Sequence, residues 1–351
     1  MSGHDDSSER LRVGVIGAGY IGQSVGREFH RHTGATVAAV ADPSRSAREE
    51  AANLFHLPSD AQYADYEAMF EGTTLDAVLI GTPHTLHYEQ IVAALDRGLH
   101  VLCDKPITTD LDEARDVQDR VANTDQVVMI GYQRHINPAF IAARERWQGD
   151  LTPTWITAEI CEGWVGTREG TWRLDPDLSG GGFLYDTGSH LLDAILWTTG
   201  LTPERVSAQM TYVDDERRVD DWATVTIDFE EGTRATVSTY ARAPAVREHI
   251  HVWDEEGATY LDGREWDPRE LTEIDDESGE RRPYFNRGLH ENKAGAFVQS
   301  IRTGTEPPAT IRDGLRVTAV TEAAYESARR GEPVELDPRN VRQTELTEQT
   351  E

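Results

Sequence analysis

Apolar residues in the first part of the chain fall into short runs, at 13–16, 37–41, 76–80, 101–103 and 127–130. Each is the length of a buried strand. Between them lie segments with one apolar helical face: Val25 and Phe29, residues 44–55, then Tyr88, Ile91, Val92 and Leu95, and residues 110–121. Strands alternating with helices, without a tight hairpin, predict a parallel sheet covered on both faces. From about residue 150 the period changes. Ala223, Val225, Ile227 and Phe229 alternate with Thr224, Thr226 and Asp228, then Glu230-Glu231-Gly232 turns the chain and Ala235 and Val237 alternate again. That is a hairpin with one buried face, part of an antiparallel sheet. Further strands are predicted near 155–160, 206–213 and 249–253, a loop-rich solvated edge over 254–283, and helices over 289–301 and 315–328. The fold class is therefore α/β. A doubly wound parallel sheet occupies residues 11–135, and a C-terminal α+β domain with a mainly antiparallel sheet occupies 136–337. Residues 1–10 read as a disordered acidic lead-in and 338–351 as a polar tail.

The first strand runs into Gly17-Ala18-Gly19-Tyr20-Ile21-Gly22 and then a helix. In a dinucleotide fingerprint the first glycine makes the turn, the second admits a pyrophosphate and the third lets helix pack on strand. Asp42 ends the next strand, 23 residues after Gly19, where a carboxylate can hold ribose hydroxyls. Asp42 favours NAD by repelling a 2′-phosphate, and nearby Arg45 blunts that preference, leaving NADP open. Gly17, Asp42, Thr82 and Lys105 all follow strand ends, the edge at which such sheets bind ligands. His84 and His87, just beyond Thr82 and Pro83, read from the residues alone as cap or surface groups.

Two stretches carry chemistry. The run Val101-Leu102-Cys103 ends in Asp104-Lys105-Pro106, and of the chain's 34 basic residues only Lys105 and Lys293 are lysines. An ammonium group can exchange its proton where a guanidinium cannot, which marks Lys105 as a chemical group; Lys293 acquires no role from the sequence. The second stretch is Gly180-Gly181-Gly182 through Asp186 and His190 to Asp193. Asp186 and His190 are four apart, so on a helix the carboxylate can orient the imidazole as a general base. A metal site of Asp186, His190 and Asp193 and a capped helix with an incidental contact are the rival readings. With no further His or Cys cluster at ligand spacing, no metal is assigned. Gln133, Arg134 and His135 leave the last parallel strand, suited to hydroxyl recognition or to a domain junction.

Composition changes the picture in one respect. Sixty-three acidic against 34 basic residues give a formal charge of −29 in 351 residues, which opposes nucleic acid and anionic membranes. The excess of acid, with arginine in place of lysine, points to a cytosol rich in salt. A chain so charged is expected to lose structure at low ionic strength, and an equal melting temperature in about 0.1 M and about 3 M salt would contradict that. An unusually acidic protein of an ordinary cytosol is the alternative. Two cysteines make no disulfide framework, and with no membrane-length apolar run or signal sequence the expected location is cytoplasmic.

Taken together, the glycine fingerprint, Thr82-Pro83 with His87, the stretch 100–106, Trp172-Arg173, the run 180–190 and the late segment 322–334 resemble the Gfo/Idh/MocA oxidoreductases over residues 11–337. The resemblance implies a Rossmann domain and a C-terminal domain whose open sheet mediates homo-oligomers. It also implies NAD(P)-dependent redox chemistry on a sugar, polyol or related hydroxy compound. Lys105, Asp186 and His190 match the family's catalytic positions. Gly17, Gly19, Tyr20, Ile21, Gly22, Asp42, Arg45, Thr82, Pro83, His87, Asp104 and Lys105 fall to the cofactor. Gln133, Arg134, His135, Trp172, Arg173, Asp186 and His190 fall to the substrate. Asp104 departs from the family's usual glutamate. Glycoside cleavage with transient hydride transfer, or sugar sensing without turnover, are the other activities this resemblance admits.

Overall fold

A computed structural model describes residues 10–149, 151–285 and 291–343. The N-terminal runs form a parallel sheet of β1 (Leu11–Ile16), β2 (Ala35–Ala41), β3 (Gln62–Tyr63), β4 (Ala77–Ile80), β5 (His100–Cys103) and β6 (Val128–Ile130), in the order β3-β2-β1-β4-β5-β6. Order reverses between β1 and β4, so the carboxyl edge there is the cleft of a doubly wound sheet. The helices on its faces are α1 (Tyr20–Arg31), α2 (Arg45–Phe55), α3 (Tyr66–Gly72), α4 (His87–Leu95) and α5 (Leu111–Ala122). Sequence accounts for their starts: Ser44, Asp65 and Asp110 cap α2, α3 and α5 by accepting from backbone N–H groups of the first turn.

Next come α6 (Pro138–Arg146), β7 (Trp155–Cys161), α7 (Trp164–Arg168), α8 (Pro176–Ser179) and α9 (Ser189–Thr199). β8 (Pro203–Tyr212), β9 (Asp220–Phe229), β10 (Arg234–Tyr240) and β11 (Arg247–Asp254) follow. The expected hairpin is β9–β10, antiparallel with Val225 facing Val237. The solvated edge expected over 254–283 is a correction. It contains β12 (Gly257–Arg264), β13 (Glu270–Asp275) and β14 (Glu280–Arg281), which extend the sheet. Only a few apolar residues there, such as Leu261 and Leu271, are buried. The strands are held by backbone pairing to β11 rather than by an apolar stripe that a pattern search can find.

The second sheet runs β14-β13-β12-β11-β7-β10-β9-β8-β15, with β15 at Val334–Glu335. Its pairs are antiparallel except β7 with β10. The chain then returns to the first domain. α10 (Lys293–Thr303) lies on α1, where Phe29 and Phe297 meet edge-on with centroids 6.0 Å apart. α11 (Ile311–Arg330) is closed by a Thr310–Asp313 capping box. The tail expected to be polar begins with α12 (Pro338–Val341), whose Val341 is buried and accepts from the buried Arg316 guanidinium. Residues 1–9, and the first part of the helix expected over 289–301, lie outside the described residues.

Candidate active site

The glycine turn fits a dinucleotide. Gly17 has φ +87°, and a Cβ on Gly22 would fall 1.9 Å from the Gly17 carbonyl oxygen, whereas a Cβ on Gly19 would meet nothing within 4 Å. The turn thus has one strained position, one packed position and one open position, which is what close approach of a pyrophosphate requires. No side chain caps the N-terminus of α1, leaving its N–H groups for an anion. Asp42 closes the far side, accepting from the Ala18 and Ser44 N–H groups at 2.8 Å each. Arg45 is turned outward to Glu49 at 2.8 Å, and Arg48 takes the Asp42 carbonyl instead. Tyr20 is 81% exposed at the rim.

His87 is buried under this edge, its ring nitrogens 2.8 Å from the Pro106 carbonyl and 3.1 Å from that of Thr82. Burial pushes its pKa down, and the ring ties the β4 exit to the β5 exit. It is neither a cap nor a surface group.

Beyond β5, the buried Lys105 ammonium donates to Asp186 Oδ1 at 3.0 Å and also to the Asp186 carbonyl. Trp164 Nε1 donates to Asp186 Oδ2 at 2.7 Å and Arg173 Nε to the same oxygen at 3.0 Å. His84 Nε2 stands 3.7 Å from Oδ1, with the Trp172 ring edge-on to its own. Burial alone would raise the Asp186 pKa, but Lys105, Arg173 and His84 hold it well below the usual carboxylate range. Asp186 sits in a π-turn, Leu184–Gly188, just before α9. A Cβ on Gly182 would fall 2.1 Å from the Asp220 nitrogen, so the glycine admits the Asp220 backbone. The Asp220 carboxylate then accepts from Leu184 N–H and from Tyr325.

The expected pairing of Asp186 with His190 is corrected. No hydrogen bond joins Asp186 to His190, because both Asp186 oxygens are taken by Lys105, Trp164 and Arg173. His190 Nδ1 is buried without a hydrogen-bond partner among the described residues. Burial first, then the charges of Lys105 and Arg134, keep the His190 pKa well below its usual value, so the imidazole is neutral.

Arg134 and His135, expected at the substrate, are both held by buried acidic partners. Arg134 donates to both oxygens of buried Glu248 at 2.5 Å, and Arg269 donates to the same carboxylate at 2.6 Å. His135 bonds Asp193 at 2.8 Å and the Pro308 carbonyl at 2.7 Å, and stacks on Trp197. Gln133 and Arg134 line a cavity of about 680 Å³ together with Asn137, Lys293 and Trp266. Asp193, the third member of the rival metal set with Asp186 and His190, is committed to His135, and no three His, Cys, Asp or Glu side chains among the described residues could hold a metal ion. The sequence reading missed Trp164 and the approach of His84 to Asp186. Position offered a signal only for His84, directly after Pro83 at a strand exit.

Comparison with known proteins decides the family. The NAD-binding Rossmann domain of one oxidoreductase family matches residues 11–132, and two C-terminal domains of that family match 149–259 and 267–336. The chain belongs to the Gfo/Idh/MocA family. It is 28% identical over 331 residues to a D-xylose 1-dehydrogenase (NADP(+)) of Haloferax volcanii, covering 93% of this chain and all of the relative. It is 24% identical over 337 residues to a scyllo-inositol 2-dehydrogenase (NAD(+)) of Bacillus subtilis, covering 93% of this chain and 97% of the relative. The fold matches that of a levoglucosan dehydrogenase solved with NADH, with a TM-score of 0.80 at 21% identity, covering 94% of this chain and all of the other. This Gfo/Idh/MocA protein is thus an NAD(P)-dependent oxidoreductase, and a salt-adapted composition fits its Haloferax relative.

Proposed function

We propose that the protein is a dehydrogenase of a sugar, polyol or related hydroxy compound, with Lys105 and His190 at the reacting carbon. The observation that supports it most is the meeting of Lys105 with Asp186 near a neutral His190 whose Nδ1 has no partner among the described residues. A nicotinamide bound at the carboxyl edge supplies the hydride acceptor. His190 takes the hydroxyl proton, which a neutral imidazole can do without first losing one of its own. The Lys105 ammonium stabilises the developing alkoxide, and Asp186 holds that ammonium in place rather than orienting the histidine. Trp172 and Arg173 form the wall against which a polyhydroxy substrate lies, with buried His84 behind the Trp172 ring. Relatives named xylose, inositol and glucoside dehydrogenases support this substrate class.

Asp42 favours NAD, since its carboxylate accepts from ribose hydroxyls and repels a 2′-phosphate, and outward-turned Arg45 offers that phosphate little. The uncovered face of the second sheet associates with another copy of the chain. Trp155 and Tyr240, about half exposed, share that face on the paired strands β7 and β10.

The test is a panel of sugars and polyols with NAD and NADP in concentrated salt, following NADH absorbance and product together. One oxidised product per NADH is expected. Release of a sugar without accumulating NADH would replace this reading with glycoside cleavage.

A further inference from the structure

The chain's second lysine lies against the same carboxyl edge as the first. Lys293 is the first residue of α10, and its Nζ is 3.9 Å from Asp104 Oδ1, the two side chains only 11% and 10% exposed. Its stem borders a narrow gap with Ile21, Leu79, Leu102 and Cys103, so the methylenes lie on apolar surface and the ammonium emerges at the acid. The approach is fixed from both ends. Asn292 caps α10 by accepting from Gly295 N–H, and Ala294 N–H donates to Glu28 Oε2 on α1 at 3.2 Å. On the far side Gly131 leaves room for the carboxylate, because a Cβ there would come within 2.8 Å of Asp104 Oδ1.

Of the 34 basic residues the two lysines thus lie close together in the fold: Lys293 reaches Asp104, the residue next to Lys105, from far along the sequence. Everywhere else the chain uses arginine. A planar, five-donor guanidinium needs lateral space that a narrow gap between apolar side chains lacks, whereas an ammonium is compact and can point at one oxygen.

We propose that Lys293 is the positioning residue for Asp104, holding its carboxylate at the cofactor edge for a ribose hydroxyl of the dinucleotide. The inference rests on the dehydrogenase reading above. Aspartate is one methylene shorter than the glutamate expected from the family resemblance, so its carboxylate sits deeper, beside the gap. A cation from α10 sets the direction in which that short side chain points. The segment that follows the second sheet thereby contributes to the dinucleotide site of the first.

The test is NADH affinity, read by fluorescence titration of the purified full-length protein in concentrated salt, for wild type, Lys293→Met, Asp104→Asn and the double variant. Lys293→Met is expected to weaken NADH binding by about tenfold, the scale of one largely buried ion pair at 3.9 Å. The double variant is expected to bind no more weakly than Asp104→Asn alone, since Lys293 acts only through Asp104. A contribution to folding alone would lower the melting temperature and leave the NADH losses additive. Wild-type affinity in Lys293→Met, or full additivity in the double variant, overturns the proposal. If Lys293→Met does not fold, Lys293→Gln carries the same comparison. A wild-type protein that binds no NADH would overturn the dehydrogenase reading itself, and this proposal with it.

Discussion

His135 and His190 flank the Tyr132 ring, with centroids 6.1 and 6.4 Å from it, and their surroundings are opposite in kind. His135 is saturated: a carboxylate on Nε2, a carbonyl at Nδ1 and an indole stacked at 4.3 Å. His190 keeps a buried Nδ1 that no atom among the described residues satisfies. Buried polar groups are nearly always bonded, so in the proposed reading the saturated histidine serves the architecture and the unsatisfied one serves the substrate. Protonation separates them as well. Burial lowers the pKa of both rings, but for His135 the Asp193 and Asp313 carboxylates and the Pro308 carbonyl together outweigh it and the net shift is upward, whereas Lys105 and Arg134 add to burial at His190.

The comparison can be broken in several ways. The largest effect is expected from Lys105→Arg, which keeps the charge and removes the compact ammonium beside Asp186 that the proposed reading places at the reacting carbon. Turnover is expected to fall by about 10²- to 10⁴-fold, the usual scale of acid–base assistance, as measured by steady-state NADH formation. Near-normal turnover would mean that positive charge alone suffices.

On the other side of Tyr132, His135→Ala strands the buried Asp193. Denaturant unfolding is expected to show a loss of about 3 to 5 kcal/mol, with residual turnover per folded molecule largely preserved.

A smaller effect separates the two rings by sign. A raised pKa makes the His135 contribution complete below the ordinary value of 6.5 and lost as pH rises through the folded value. A lowered pKa makes His190 costly as pH falls below 6.5, because the unfolded chain takes up a proton that the folded site refuses. Stability profiles of His135→Asn and His190→Asn are expected to flatten on the alkaline and the acid side respectively. Flattening on the same side in both would remove the distinction.

What was legible in the sequence follows from what the pattern encodes. The parallel sheet and its ligand edge were readable because fully buried strands are apolar throughout and Gly17, Gly19 and Gly22 mark one backbone geometry. The meeting of Lys105 with Asp186 was not, since the two are 81 residues apart and only packing brings them together. Spacing of four pointed instead to Asp186 with His190, and failed because a lysine, an arginine and an indole compete for the same two oxygens. Arg134 and His135 looked like recognition residues because polar groups at a strand exit read alike whether they face a ligand or buried partners such as Glu248 and Asp193.

The central claim is that the unsatisfied histidine does chemistry while the saturated one holds the fold. Single-turnover hydride transfer measured on His190→Ala, alongside its denaturant unfolding in the same concentrated salt, tests it most directly. The account predicts a rate lower by about 10²-fold or more with stability changed by less than about 1 kcal/mol. A normal rate, or a loss of stability like that expected of His135→Ala, would contradict it.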